Sequence, residues 1–161
     1  MPVPHDTIAK LRQVWGSISE LGRTLTEAEW KAATDLPGWT VQDNLAHMVG
    51  TERALQGLPR PDHVAPEVDH VKNPIGAMNE IDVDLRRGLN GAQVLAEWDE
   101  IAALRLATFD VAGDDYFEQP AMTPTGPGTV ADFLHIRVMD CWAHEQDMRR
   151  AVGRPGHLDG P

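Results

Sequence analysis

Thr129-Val130-Ala131-Asp132-Phe133-Leu134-His135-Ile136-Arg137-Val138-Met139-Asp140-Cys141-Trp142-Ala143-His144-Glu145-Gln146-Asp147-Met148-Arg149-Arg150-Ala151 is the stretch on which the reading of this chain turns. Thr129 offers a hydroxyl for an N-cap and Asp132 puts an acid in the first turn, a helix start. Just before it, Met122 to Gly128 is a dense turn region, and the helix is expected to end near Gly153. Asp140 and His144 are four residues apart, so at about 100° per residue they lie one above the other on a single face.

Working outward, the same pattern recurs. Ile8, Leu11, Trp15, Ile18 and Leu25 follow three- and four-residue steps and predict a first helix. Thr26 with Glu29 fits a capping box for a short turn of helix carrying Trp30, stopped by Leu36-Pro37-Gly38. Thr40 with Asp43 starts a helix running to about Leu55, with His47 in its middle. Residues 57–73 hold Pro59, Pro61 and Pro66 without a sustained period and read as a long surface loop. Asn73-Pro74 opens the next helix, with Asn as cap and Pro in the first helical position, and Ile75, Met78, Ile81 and Leu85 lie along it. Asn90-Gly91 interrupts; Val94, Leu95, Trp98, Ile101, Ala102, Leu106 and Phe109 then resume a wide apolar stripe, as one kinked helix or two. Strand signal is almost absent. The fold expected is all-α: a four-helix bundle with long connections, in a topology open to more than simple up-and-down order.

Composition narrows the function. One domain fits 161 residues, and 14 Lys and Arg against 25 Asp and Glu give a net charge of -11, which repels phosphate backbones and anionic lipid surfaces; nucleic acid and membrane are not expected partners. The apolar stretches are too short to cross a bilayer, and Met1-Pro2-Val3-Pro4-His5-Asp6 lacks the basic start and apolar run of a signal peptide, so a cytoplasmic protein is expected. The single Cys141 forms no internal disulfide and no cysteine-based zinc knuckle.

An Asp-x-x-x-His pair on a helix serves more often as a surface hydrogen bond than as a metal site, and spacing alone does not join His47 to it. Two longer stretches carry a resemblance that does. Trp30, then Leu36-Pro37-Gly38-Trp39-Thr40-Val41-Gln42-Asp43-Asn44-Leu45-Ala46-His47, together with Asp140 to Ala151, resembles the DinB-like, mycothiol-dependent maleylpyruvate isomerase family over nearly the whole chain. The resemblance implies a DinB-like bundle over residues 1–153 and a divalent metal on His47, Asp140 and His144, with mycothiol as the thiol cofactor or co-substrate. Zinc is favoured by ligand type, although two histidines and a carboxylate also suit Fe(II), Ni(II) or Mn(II). The partners expected are a low-molecular-weight thiol and a small-molecule electrophile, the outcome cis-trans isomerisation or S-transfer. This chain has Asp140 where the resemblance expects Glu, one methylene longer, which alters metal distance or preference. Residues 154–161 read as a turn-rich C-terminal linker, truncated before a second domain if the chain is a fragment.

Other residues have plainer roles beside the functional ones. Arg137 would hold a substrate carboxylate or orient Asp140, or would be a surface cation. Asn79 and Glu80, with the loop residues His63 and His70, are placed at the mouth of the site, with solvated polar residues as the plainer reading. Cys141 points about 100° away from Asp140 and fits core packing better than catalysis. The five tryptophans fit core and corner packing. Against the thiol-dependent enzyme stand a metal- or ligand-binding module without chemistry and an interaction domain that pairs bundle faces in a homodimer.

Overall fold

Side-chain caps decide where most of the helices begin. In the computed structural model, which describes residues 3–161, complete capping boxes join Thr26 to Glu29, Thr40 to Asp43, Asn90 to Gln93 and Thr129 to Asp132. Each such cap contributes about 1 kcal/mol. Met1 and Pro2, which begin the N-terminal stretch considered above, lie outside the described residues. The elements run α1 (His5–Arg23), α2 (Glu27–Trp30), α3 (Val41–Leu55), α4 (Pro74–Arg86), α5 (Gly91–Val111), α6 (Asp114–Phe117), β1 (Pro120–Thr123), β2 (Gly126–Thr129) and α7 (Val130–Ala151). Asn73 caps α4 with Pro74 at its start, as expected. The segment broken at Asn90-Gly91 is two helices, because Asn90 is itself an N-cap.

Four long helices form the bundle. α1 packs on α5 and α7, and α3 packs on the same two, so α1 and α3 occupy opposite corners. The chain therefore crosses the bundle diagonally from α1 to α3 and again from α5 to α7, using the long connections that the turn-rich segments allow. Leu11, Val14, Trp15 and Ile18 of α1 meet Leu45 and Met48 of α3, Trp98 and Ile101 of α5, and Leu134 and Met148 of α7 in one core. Trp15 and Trp98 cross edge to face at 5.9 Å at its centre.

α4 lies outside this ring, against α3. The approach is close: a Cβ on Gly50 would stand 2.2 Å from Asp82 Cγ. Flanked by α4, α5 and α7, α3 has every residue from Val41 to Gly50 buried. Its polar side chains must therefore find partners inside the protein.

Two features differ from the sequence expectation. β1 and β2 form an antiparallel hairpin, pairing Pro120 with Thr129 and Thr123 with Gly126. Four-residue strands containing Pro120, Gly126, Pro127 and Gly128 carry residues depleted in strands, so local propensity hides them. Gly126 at φ 118° and the Thr123 hydroxyl, which donates to the Gly126 carbonyl at 2.7 Å, close the turn. The second feature is residues 154–160, which fold back on the bundle. Trp142 Nε1 donates to the His157 carbonyl at 2.9 Å, and the His157 ring meets the buried Glu145 at 2.8 Å. Among the described residues no helix is long and apolar enough to cross a membrane.

Candidate metal centre

α3 carries five buried polar side chains, Gln42, Asp43, Asn44, His47 and Glu52. Gln42 donates to the carbonyls of Arg86 and Leu89 and accepts from Lys31. Asp43 closes its own helix cap, Asn44 bridges to Thr40, Thr34 and His144, and Glu52 takes two arginines. His47 alone has no hydrogen-bonded side-chain nitrogen among the described residues. Its Nδ1 is buried without a partner, and its Nε2 stands 3.8 Å from Asp140 Oδ2, beyond hydrogen-bond reach. The nitrogen that faces Asp140 is therefore left open to a ligand.

α7 supplies the other half. Asp140 and His144 face His47 on one side of the helix, as their spacing predicts, and His144 Nε2 lies 3.7 Å from Asp140 Oδ1. The two imidazoles approach to 4.9 Å between centroids at 66°. One ligand atom from each of the three residues lies within 4.8 Å of the others, a span that a single ion can bridge. Asn44 orients His144: with Nδ1–H donating to Asn44 Oδ1 at 2.8 Å, Nε2 keeps its lone pair toward Asp140 and His47. Two imidazoles and one carboxylate, two of them without a competing hydrogen bond at the facing nitrogen, fit a divalent metal.

The electrostatics agree with that donor set. Burial, joined by the neighbouring His47, pushes His144 down to about 4 against the pull of Asp140, so its imidazole is neutral near pH 7. Burial opposes ionisation of Asp140 as well, but His47, Arg137 and His144 outweigh it and hold the carboxyl well below the usual range. His144 and Asp140 are thus in the protonation states that metal binding requires.

The triad opens into a cavity of about 420 Å³ whose walls include Trp39, His70, Lys72, Asn79 and Glu80. Trp39 belongs to the site and not only to corner packing: its ring lies 5.3 Å from His47 and 6.1 Å from His144. Glu80, expected at the mouth, is buried in the wall, where Trp39 Nε1 and His70 each meet it at 3.1 Å and Arg87 at 2.6 Å. Asn79 also lines the cavity. His63 is directed elsewhere, pairing with Asp84 at 2.8 Å beside a neighbouring cavity. Arg137 does not line the triad's cavity. It is buried behind Asp140, with one guanidinium nitrogen on the Asp140 carboxylate and another 3.2 Å from Cys141 Sγ, the geometry of an orienting group. Cys141 is fully buried and its thiol is pushed up to about 12 by that burial, which suits packing and not attack on a substrate. Neither Asn44 nor Glu52 carries a site signal in the sequence, and Trp39 reads there as packing. Asn44 and Trp39 sit inside the quoted motif, but nothing in their spacing distinguishes site residues from packing ones.

Two histidines and a carboxylate converge from facing helices on an open cavity, so the chain is a four-helix bundle with a candidate metal site. Residues 11–149 match the family model described as the mycothiol maleylpyruvate isomerase N-terminal domain, and the chain belongs to that family. An uncharacterised protein of Mycobacterium tuberculosis, matched in two strains, is 26% identical over 155 residues, which is 95% of this chain and 59% of the relative. This chain therefore spans under two thirds of those relatives' length. A solved structure of a mutant of the mycothiol-dependent maleylpyruvate isomerase superposes with TM-score 0.67 at 18% identity, over 92% of this chain and 61% of that one. The colibactin self-resistance protein ClbS, solved in complex with double-stranded DNA, superposes with TM-score 0.65 at 10% identity, over 94% of this chain and 96% of that one. These structural likenesses establish the fold.

Proposed function

We propose that this domain holds one divalent metal, zinc by ligand type, on His47, Asp140 and His144, and acts on a low-molecular-weight thiol, mycothiol, together with a small electrophile. The observation that carries the reading is His47: a buried imidazole with no hydrogen bond at either nitrogen, facing two other ligand groups. Zinc held by His47, Asp140 and His144 would lower the pKa of a thiol bound to it, so that the thiol would react as a thiolate near neutral pH. The protein's own groups do the rest. Asn44 holds the His144 tautomer, Arg137 holds the Asp140 carboxylate, and the Trp39 ring lies against His47 at the cavity wall. Lys72 and His70 at the cavity wall offer cationic and polar contacts to an anionic or hydroxyl-rich ligand. Addition of the thiol to an activated double bond, rotation and release would give cis-trans isomerisation; retention of the thiol would give S-transfer.

Residues 1–153 would form the metal-binding unit, with 154–161 a C-terminal linker whose His157 lies against α7. A second reading, a metal-binding module whose chemistry needs further protein, is favoured by one observation: the chain spans 61% of the isomerase structure it resembles. DNA is the ligand in the ClbS structure, but a net charge of -11 argues against phosphate backbones here. Elemental analysis after gentle purification tests the metal: close to one divalent ion per chain is expected, lost in His144→Ala, and a wild type that cannot be loaded with zinc refutes the proposal. Incubating loaded protein with mycothiol and a panel of electrophiles, followed by mass spectrometry and isomer analysis, separates isomerase, transferase and binding module.

A further inference from the structure

Glu52, five residues beyond His47 on α3, is completely buried and accepts from two arginines on different helices. Arg105 Nε of α5 meets its Oε2 at 3.0 Å, and Arg137 Nε of α7 meets its Oε1 at 2.8 Å. Arg105 is itself fixed: its guanidinium lies 4.6 Å over the Phe109 ring and donates to the Tyr116 hydroxyl at 3.1 Å. Arg137 goes on to the carboxylate of Asp140. A line of alternating charges, Arg105, Glu52, Arg137 and Asp140, thus runs from α5 through α3 to α7 and ends on a residue of the metal triad. Side-chain exposure along it is 1%, 0%, 2% and 34%.

Burying three charged groups is a poor way to stabilise a bundle, because desolvation offsets most of the attraction, and apolar residues of the same volume often do as well or better. What the arrangement does achieve is orientation. Arg137 occupies Oδ2 of Asp140 while His144 Nε2 faces Oδ1, so the carboxylate cannot turn freely about its short side chain. Glu52 fixes the Nε edge of Arg137, whose other contacts are Asp140 and Cys141, and Glu52 is held from the far side by Arg105.

We infer that Glu52 and Arg105 are positioning residues of the metal centre, acting through Arg137 to present the Asp140 carboxylate in one fixed orientation to the ion. This rests on the metal-binding reading above. Groups hydrogen-bonded to a metal ligand, as Arg137 is to Asp140, change metal affinity by roughly 10–100-fold when removed, and Glu52 holds that group in place.

The test uses cobalt(II), read by its visible ligand-field spectrum and by competition with a chelator, on folded wild type, Glu52→Gln and Arg105→Lys. Glu145→Gln serves as the control, since Glu145 is equally buried and belongs to a separate cluster with Ser17, Arg149 and His157. Glu52→Gln is expected to weaken cobalt binding by roughly 10-fold or more and to shift the ligand-field bands. Arg105→Lys, which keeps the charge but loses the Nε contact, should shift the bands in the same direction by less, and it carries the test alone if Glu52→Gln does not fold. Glu145→Gln should lower the denaturation midpoint of the metal-free protein and leave affinity and spectrum unchanged. Wild-type cobalt affinity and spectrum in the folded Glu52 and Arg105 variants would overturn the inference while leaving the metal site standing. A wild type that takes up no cobalt would overturn the metal reading and this one with it.

Discussion

His144 should make the metal-free protein sensitive to mild acid. In the unfolded chain its imidazole takes a proton as pH falls through 6.5, whereas in the fold it resists until about 4. Between those values the unfolded state binds the proton and the native state does not, so stability present above pH 6.5 drains away as pH falls and is fully lost near pH 4. At pH 5 the loss is about 2 kcal/mol, and over the whole window about 3 kcal/mol, a substantial part of the 5–15 kcal/mol typical of a domain. The groups around the ring are Asp140, His47 and Asp147, with Arg137 behind Asp140 and Arg150 on Asp147. Asp140 adds nothing in this window: its carboxyl is held below its ordinary value, so its contribution is lost only as pH falls below 3.8. The assay is urea unfolding with chelator present, at pH 7.5 and pH 5.0, for wild type and His144→Gln, in which the side chain no longer titrates. Wild type should lose about 2 kcal/mol more than the variant between the two pH values. Equal losses in the two proteins would refute the argument that the buried ring is held neutral by its surroundings.

Asn44→Ala removes the acceptor that sets the His144 tautomer, and zinc affinity measured by competition should fall roughly 10–100-fold in a folded protein. Cys141→Ser should leave zinc affinity and any mycothiol-dependent turnover nearly unchanged; a folded, metal-loaded and inactive variant would make Cys141 the nucleophile. Gly50→Ala should destabilise the fold by about 1–3 kcal/mol in urea unfolding, because the new methyl meets Asp82 where α4 crosses α3. On cobalt-substituted wild type, adding mycothiol should produce sulfur-to-metal charge-transfer absorption that weakens as pH falls, since protons compete for thiolate and imidazole alike.

Much of the architecture is written locally. Thr26-Glu29, Thr40-Asp43, Asn73-Pro74 and Thr129-Asp132 mark helix starts because a cap is a bond between a side chain and a backbone amide two or three residues away, and the structure makes each of them. Asp140 and His144 share a face for the same reason: helical geometry converts a spacing of four into a direction. The Asn90-Gly91 break left one helix or two open, and the Asn90 cap decides for two. The hairpin between α6 and α7 escapes such a reading, since its pairing rests on the closure of a turn by Thr123 and Gly126 and not on strand-forming residues. The site itself depends on the bundle's diagonal path. His47 meets residues about a hundred positions away, Trp39 reaches Glu80 across 41, and Glu52 reaches Arg137 across 85, contacts with no period or spacing to announce them. Resemblance to a family placed His47 beside Asp140 and His144, but only the packing of α3 between α4, α5 and α7 shows its setting: from Val41 to Gly50 the helix is buried and its polar side chains must find partners inside, and there His47 is the one whose ring nitrogens have no hydrogen bond among the described residues.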